Sequence, residues 1–244
     1  MKITFLICSV SLFSYCLQAQ DLSVIHRQIS VTDVMVDSWS ATLNDDKSFY
    51  EKTFEDYTKR EFGTKSRDDG KNEELLLKVS IPQVTDKRGD LRLTFFTEGS
   101  QTKMGVSLML GYDVWINPND YGEEMERLKR FSRDYLRYHY TEYYNDIIES
   151  DLKLITSHKK VIDKSEKSIS TMRAQISKNE EKLKGETSAS RSSSMEKKNQ
   201  QNTLDIERLE AEIPELQGKI ESLDEHIEQM KEKLKYVEEQ YFAG

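Results

Sequence analysis

Beyond Cys16 the 244-residue chain contains no cysteine. With the first nineteen residues removed, no disulfide, thiolate metal site or thiol nucleophile is available to the remainder. Proline is scarce at three residues and glycine contributes ten, which excludes a collagen-like or Pro-rich fibre. After Leu17 no apolar run approaches the ~20 residues that a membrane-spanning helix needs. A patch of one charge sign is also missing at the level of whole halves. There are 36 Lys and Arg against 44 Asp and Glu, and both halves share the acidic excess. Without a basic stripe, nucleic acid and anionic membrane surfaces are poor partners.

Catalytic patterns are equally absent. His26, His139, His158 and His226 are scattered, with no zinc-type spacing between them. There is no Gly-rich phosphate loop and no Gly-x-Ser-x-Gly elbow. The many carboxylates are spaced as solvated helical partners of Lys and Arg. The expectation is a protein that is no enzyme and holds no metal and no cofactor.

What is present begins at the N-terminus. Met1-Lys2 precedes an apolar run from Ile3 to Leu17 and then Gln18-Ala19-Gln20, the pattern of a secretory signal peptide cut after Ala19. Residues 1–19 are expected to be removed, leaving an exported, periplasmic or secreted chain with no integral membrane span. Tyr15 stands where a lipidated Cys16 would need a small residue. The lack of any Asn-x-Ser/Thr sequon fits a bacterial envelope.

Charged residues make up 33% of the chain, apolar ones 36%, and the mean hydropathy is −0.74. Ordinary globular domains run at about 25% and 45–50%. One modest core plus long solvated helices accounts for the difference.

Residues 20–120 read as a small α+β head of order β-α-β-β-β, mostly antiparallel. One irregular strand runs through Ile29–Val36 towards Trp39. Ser48 and Glu51 form a capping box for a helix bearing Tyr50, Phe54 and Tyr57 and ending at Gly63. Residues 64–72 read as a loop. Leu75–Ile81, Leu91–Phe95 and Met104–Leu110 alternate with period two, which buries one sheet face. The segments 86–90, containing Arg88-Gly89-Asp90, and 98–100 read as hairpin turns.

Residues 121–244 read as a long helical arm with a Gly/Ser-rich turn at 185–194. Ile148, Ile155, Ile162, Ile169, Ile176 and Leu183 repeat every seven residues, but their companions His158, Ser165, Met172 and Asn179 make a thin seam. Past the turn, Ile206, Leu209, Ile213, Leu216, Ile220, Leu223, Ile227, Met230, Leu234, Val237 and Tyr241 alternate in spacings of three and four. Five heptads of this kind specify a coiled coil. Pro214 is expected to kink or break the helix at 210–214. An intrachain antiparallel hairpin is the favoured pairing, with partner numbers totalling about 380; a parallel intermolecular dimer is the alternative.

A small β-containing body carrying a helical hairpin resembles in outline the periplasmic jellyfish-type chaperones and the adaptor proteins of efflux systems. It departs from the former in being acidic and from the latter in carrying the hairpin at its C-terminal end, so no residue role carries over. The expected function is contact: self-association or protein-partner binding through the arm, with the Ile206–Val237 seam as the surface. Tyr135, Tyr138, Tyr140, Tyr143 and Tyr144 form a cluster that serves either junction packing or partner contact. The alternative is a head that binds a glycan or peptide, spaced by the arm; any small-molecule ligand is unknown.

Overall fold

The computed structural model describes residues 22–44, 46–70 and 72–243, so the expected signal segment, with Cys8 and Cys16, lies outside the described residues. The fold is α+β: an antiparallel sheet followed by a hairpin of long helices. In chain order the elements are β1 (Ile25–Val31), β2 (Val34–Thr42), α1 (Lys47–Phe62), β3 (Arg67–Asp68), β4 (Glu73–Ile81), β5 (Thr85–Glu98), β6 (Gln101–Met109), α2 (Gly122–Leu183) and α3 (Ala189–Ala243). The six strands lie in the order β1-β2-β6-β5-β4-β3, with every neighbour antiparallel.

The region expected as one irregular strand is a hairpin. Thr32 and Asp33 both take positive φ, 45° and 67°, as a two-residue turn that follows the strand twist requires. Neither is glycine or asparagine, so the turn signal in the sequence is weak. The expected loop at 64–72 contributes the short β3, paired to β4. The helix cap also shifts: Asp46 is the N-cap and accepts from the Ser48 amide at 2.9 Å, while Gly63 closes the helix with φ 69°.

Cross-strand register explains which face is apolar. Trp39, Val106, Leu93 and Glu74 lie in one row across four strands, flanked by the rows Ala41–Met104–Phe95 and Leu108–Leu91–Leu76. α1 buries Tyr50, Thr53, Phe54, Tyr57 and Thr58, the i, i+3, i+4, i+7 stripe of an amphipathic helix. The Trp39 indole donates to the Met125 carbonyl at 2.7 Å, tying β2 to the start of α2. On the other face Ile29, Val31 and Val36 form a smaller cluster with Phe96 and Trp115. Gly105 makes room there, since a Cβ would come within 2.8 Å of Ile29 Cδ1 and 3.1 Å of Ser38 Oγ.

The alternation expected through β4 breaks at a bulge between Leu76 and Val79, where Lys78 has φ 50°. Leu76, opposite Leu91, therefore shares a face with Val79, opposite Gly89; Leu75 is buried on the other face and Leu77 is exposed. Arg88-Gly89-Asp90 is not a turn. It sits inside β5, and the reversal from β4 falls at residues 82–84. A strand position suits Gly89 because β6 comes so close: a Cβ there would lie 2.7 Å from the Met109 carbonyl oxygen.

The chain divides into two compact units. One comprises the residues up to His139 together with 236–244, and the other is Tyr140–Lys235. In the first, Leu128, Phe131, Tyr135 and His139 of α2 are buried. The end of α3 is held by Arg133, which donates to the carbonyls of Gln240 and Tyr241 at 3.2 and 3.4 Å, capping orphan acceptors of the helix C-terminus. The Arg137 guanidinium lies 4.0 Å from the Tyr241 ring, and a hydrogen bond to Asp134 pushes the Tyr241 phenol up from its ordinary range. Among the described residues no helix is long and apolar enough to cross a membrane.

Two outcomes follow from this packing. Gly89→Ala forces backbone apart rather than a flexible side chain, so urea denaturation should show a loss of about 1–3 kcal/mol, the usual cost of overpacking. Glu74, 8% exposed, ends an apolar row; burial first, then the charges of Glu51, Asp68 and Glu55, push its carboxyl above its ordinary range. The folded chain thus keeps this proton more tightly than the unfolded chain, and stability falls as pH rises from the ordinary carboxylate range through the raised one. Glu74→Gln should raise the urea midpoint at neutral pH and flatten its decline over that span; a lower midpoint at neutral pH would contradict this.

Candidate interaction surface

In the second unit the two helices run antiparallel along their seams. Ile155 and Ile169 of α2 are buried, while Ile148, Ile162 and Ile176 are half-buried. The companion positions are mostly polar: Asp151, Ser165 and Asn179 are buried, and His158 and Met172 half-buried. On α3, Ile206, Leu216, Ile227 and Met230 are buried, as is Val237 in the first unit. Leu209, Ile213, Ile220, Leu223 and Leu234 are half-buried.

Polar contacts fix the register. His226 Nδ1 lies 2.7 Å from Asp151 Oδ2, Asn179 Nδ2 donates to Asn199 Oδ1 at 2.8 Å, and Arg173 pairs with Glu210. These partner numbers total about 380, the hairpin register anticipated from the turn. The turn itself is short: α2 ends at Leu183 and α3 already includes Ala189–Ser194. Pro214 does not break α3, which runs unbroken to Ala243. Pro214 is exposed, with Ile213 and Leu216 flanking it in the seam. The amide it removes costs about 3 kcal/mol in an isolated helix; here the packed seam holds the helix across it.

The tyrosines divide between the two units. Tyr135 is fully buried, donates its hydroxyl to the Tyr50 carbonyl at 2.7 Å and meets Phe54 edge-on at 5.1 Å. Beside it, His139 stacks on Tyr50 at 3.6 Å between ring centres, its Nδ1 lying 2.8 Å from Thr53 Oγ1. Tyr138, half-buried, lies against Tyr57 with the Arg60 guanidinium 4.3 Å from its ring. In the second unit Tyr140 and Tyr144 are buried and Tyr143 half-buried. Tyr143 packs edge-on to Tyr144 at 5.4 Å, and Lys233 lies 5.8 Å from the Tyr144 ring. Tyr135 and Tyr138 thus serve the packing of the first unit's core, and Tyr144 that of the hairpin.

Two features of the arm are visible only once its inward face is known. One position before the first three seam isoleucines stand Ile147, Leu154 and Val161, and the last two are 47% and 38% exposed. They continue with Ser150, Ser157, Lys164, Ser168, Thr171 and Gln175 as a second stripe of three- and four-residue spacing, in which Lys164 is the single charge. The second feature is a division of charge. Between 153 and 178, α2 carries seven Lys and Arg against two Asp and Glu; between 202 and 227, the facing stretch of α3 carries two against eight. Among the described residues Lys159, Lys160, Lys164, Lys167 and Lys178 make no ion pair, nor do Glu207, Glu212, Glu215 and Glu221. An open groove of about 600 Å³ runs beside Leu152 and Ile227, rimmed by Asp224, Glu225, Glu228 and Lys231.

Among the described residues no group of His, Cys, Asp and Glu is placed to hold a metal ion. No protein-family model, curated protein or solved structure matches the chain.

The seam, not the charges, should carry the hairpin's stability. Truncating the buried Ile227 to Ala leaves a cavity opposite α2, and circular dichroism in urea should report a loss of about 2–5 kcal/mol.

Proposed function

We propose that this chain is an exported, non-enzymatic envelope protein whose helical hairpin makes protein contacts, by self-association or with a partner protein. The observation that carries this reading is the second stripe of α2. Leu154 and Val161 lie exposed at seven-residue spacing beside a seam already filled by α3. A scattered exposed apolar residue needs no explanation; a heptad repeat on a second face of one helix has the spacing with which helices recognise helices. Charge is depleted along that stripe, as it is at the centre of protein interfaces.

Export is supported by the first nineteen residues and by the absence of cysteine after Cys16. The non-enzymatic reading is supported by the absence of a nucleophile elbow or phosphate loop from the sequence. With no thiols, the exported chain relies on packing alone, and a coiled coil supplies that without disulfides.

A photo-crosslinking residue placed at 154 or 161 in the producing cells tests the reading. The expected result is an adduct with a polypeptide, on a protein whose intact mass begins at Gln20. Absence of any adduct at both positions, together with a monodisperse monomer in light scattering, would overturn the contact function. A chain that retains Met1 in the cytoplasm would overturn export.

A further inference from the structure

Resting on that contact reading, we infer that the occupant of the second stripe is another copy of this chain. The α2 of each hairpin lies along the α3 of the other, and the two tips point the same way. The charge division selects this arrangement. Over matching lengths α2 has a net charge of +5 and α3 of −6. Laying α2 on α2 would set two basic stretches, residues 153–178, side by side, and α3 on α3 two acidic ones, residues 202–227. A two-fold axis parallel to the hairpins instead alternates the signs of these stretches around a four-helix bundle, so each basic stretch borders two acidic ones.

The register agrees with the charges. With α2 facing the second copy's α3 in the register the hairpin uses internally, Lys164 falls opposite Glu212 and Glu215, and Lys178 opposite Asp205. In the same register Leu154 falls opposite His226 and Val161 opposite Lys219, with the small, uncharged Ser222 between them. Among the described residues none of Lys164, Lys178, Glu212 and Glu215 has an ion-pair partner, so the second copy supplies pairings for them. The apolar ridge is short, so the association is moderate in strength, and exposed charges contribute orientation more than affinity. Salt therefore weakens it, because screening acts on solvated pairs.

Sedimentation equilibrium of the intact protein tests the inference. At low salt the mass should rise with concentration from that of one chain beginning at Gln20 to twice that value, and the dissociation constant should increase about tenfold or more at high salt. Two charge-reversal variants sharpen the test: Lys160→Glu/Lys164→Glu/Lys178→Glu on α2 and Asp205→Lys/Glu212→Lys/Glu215→Lys on α3. Each alone should stay monomeric with its helical circular dichroism intact, and a one-to-one mixture should recover the doubled mass. A wild-type protein with the mass of a single chain at every concentration overturns the inference, as does dimerisation of the α2 variant alone or failure of the mixture to associate. Flotation of the wild type with phosphatidylglycerol vesicles, lost in the α2 variant, would assign the basic face to a membrane and also overturn it. If residues 154 and 161 cross-link to a different protein while the wild type stays monomeric, this inference fails and the contact function stands; with no cross-link either, both fail.

Discussion

The arm is governed by a mismatch between its two seams. α3 presents apolar residues at every seam position from Ile206 to Tyr241, whereas α2 answers with isoleucine at one position of each heptad and mostly polar residues at the other. Covering α3 therefore buries Asp151, Ser165 and Asn179 against it. A buried polar group without a partner costs more than its hydrogen bond returns, and two of these find one across the helices: Asp151 with His226, Asn179 with Asn199. Such pairs lower stability relative to an all-apolar seam but admit one register, since a shift by a heptad separates them. α2 is a partner chosen for alignment more than for tightness, and its remaining apolar surface lies to one side.

That residual surface explains what the sequence did and did not disclose about the arm. The repeat on α3 is visible directly, because eleven consecutive matches to one spacing have no other reading. Pro214 misleads, since its cost is set for an isolated helix and the seam on either side of it stays packed. Gly185 and the serines after it suggest a turn through Ser194, yet serine opposes helix only weakly and α3 takes up Ala189–Ser194. Leu154 and Val161 are plain in the sequence, but flank and seam differ by one residue. Only the position of α3 shows that 148, 155 and 162 point inward and leave 147, 154 and 161 beside them. The division of charge between the helices is likewise invisible in totals for the whole arm, where the two blocks nearly cancel.

In the head, legibility follows the regularity of the backbone. β6 and the middle of β5 alternate cleanly, and their inward residues are those the alternation names. Alternation fails where the chain departs from the pleat: at Thr32-Asp33, a tight turn without the usual residues, and at Lys78, a bulge that puts Leu76 and not Leu77 on the face of Val79. Arg88-Gly89-Asp90 has the composition of a turn, but Gly89 is there for the closeness of Met109, a tertiary reason that no local pattern encodes. Tyr135 is similar. Its place in a run of aromatics suits a surface platform or a core equally, and its hydroxyl on the Tyr50 carbonyl decides for the core.

Charge and apolar contact do different work in the arm. An exposed ion pair is worth about 0–1 kcal/mol and is screened beyond ~8 Å at physiological ionic strength, so the charges of α2 and α3 do little to hold the hairpin closed. The seam does that, through residues such as Ile155, Ile169, Ile227 and Met230. What a block of like charge does well is discriminate, because juxtaposing like blocks adds many small penalties that all have the same sign. A helix pair that is already folded has no further use for such discrimination within itself: its register is fixed by buried polar groups and its partner by the covalent turn. The division of charge between residues 153–178 of α2 and 202–227 of α3 is thus of most consequence for what approaches the outside of the hairpin, and a second hairpin would present the opposite signs over that same stretch.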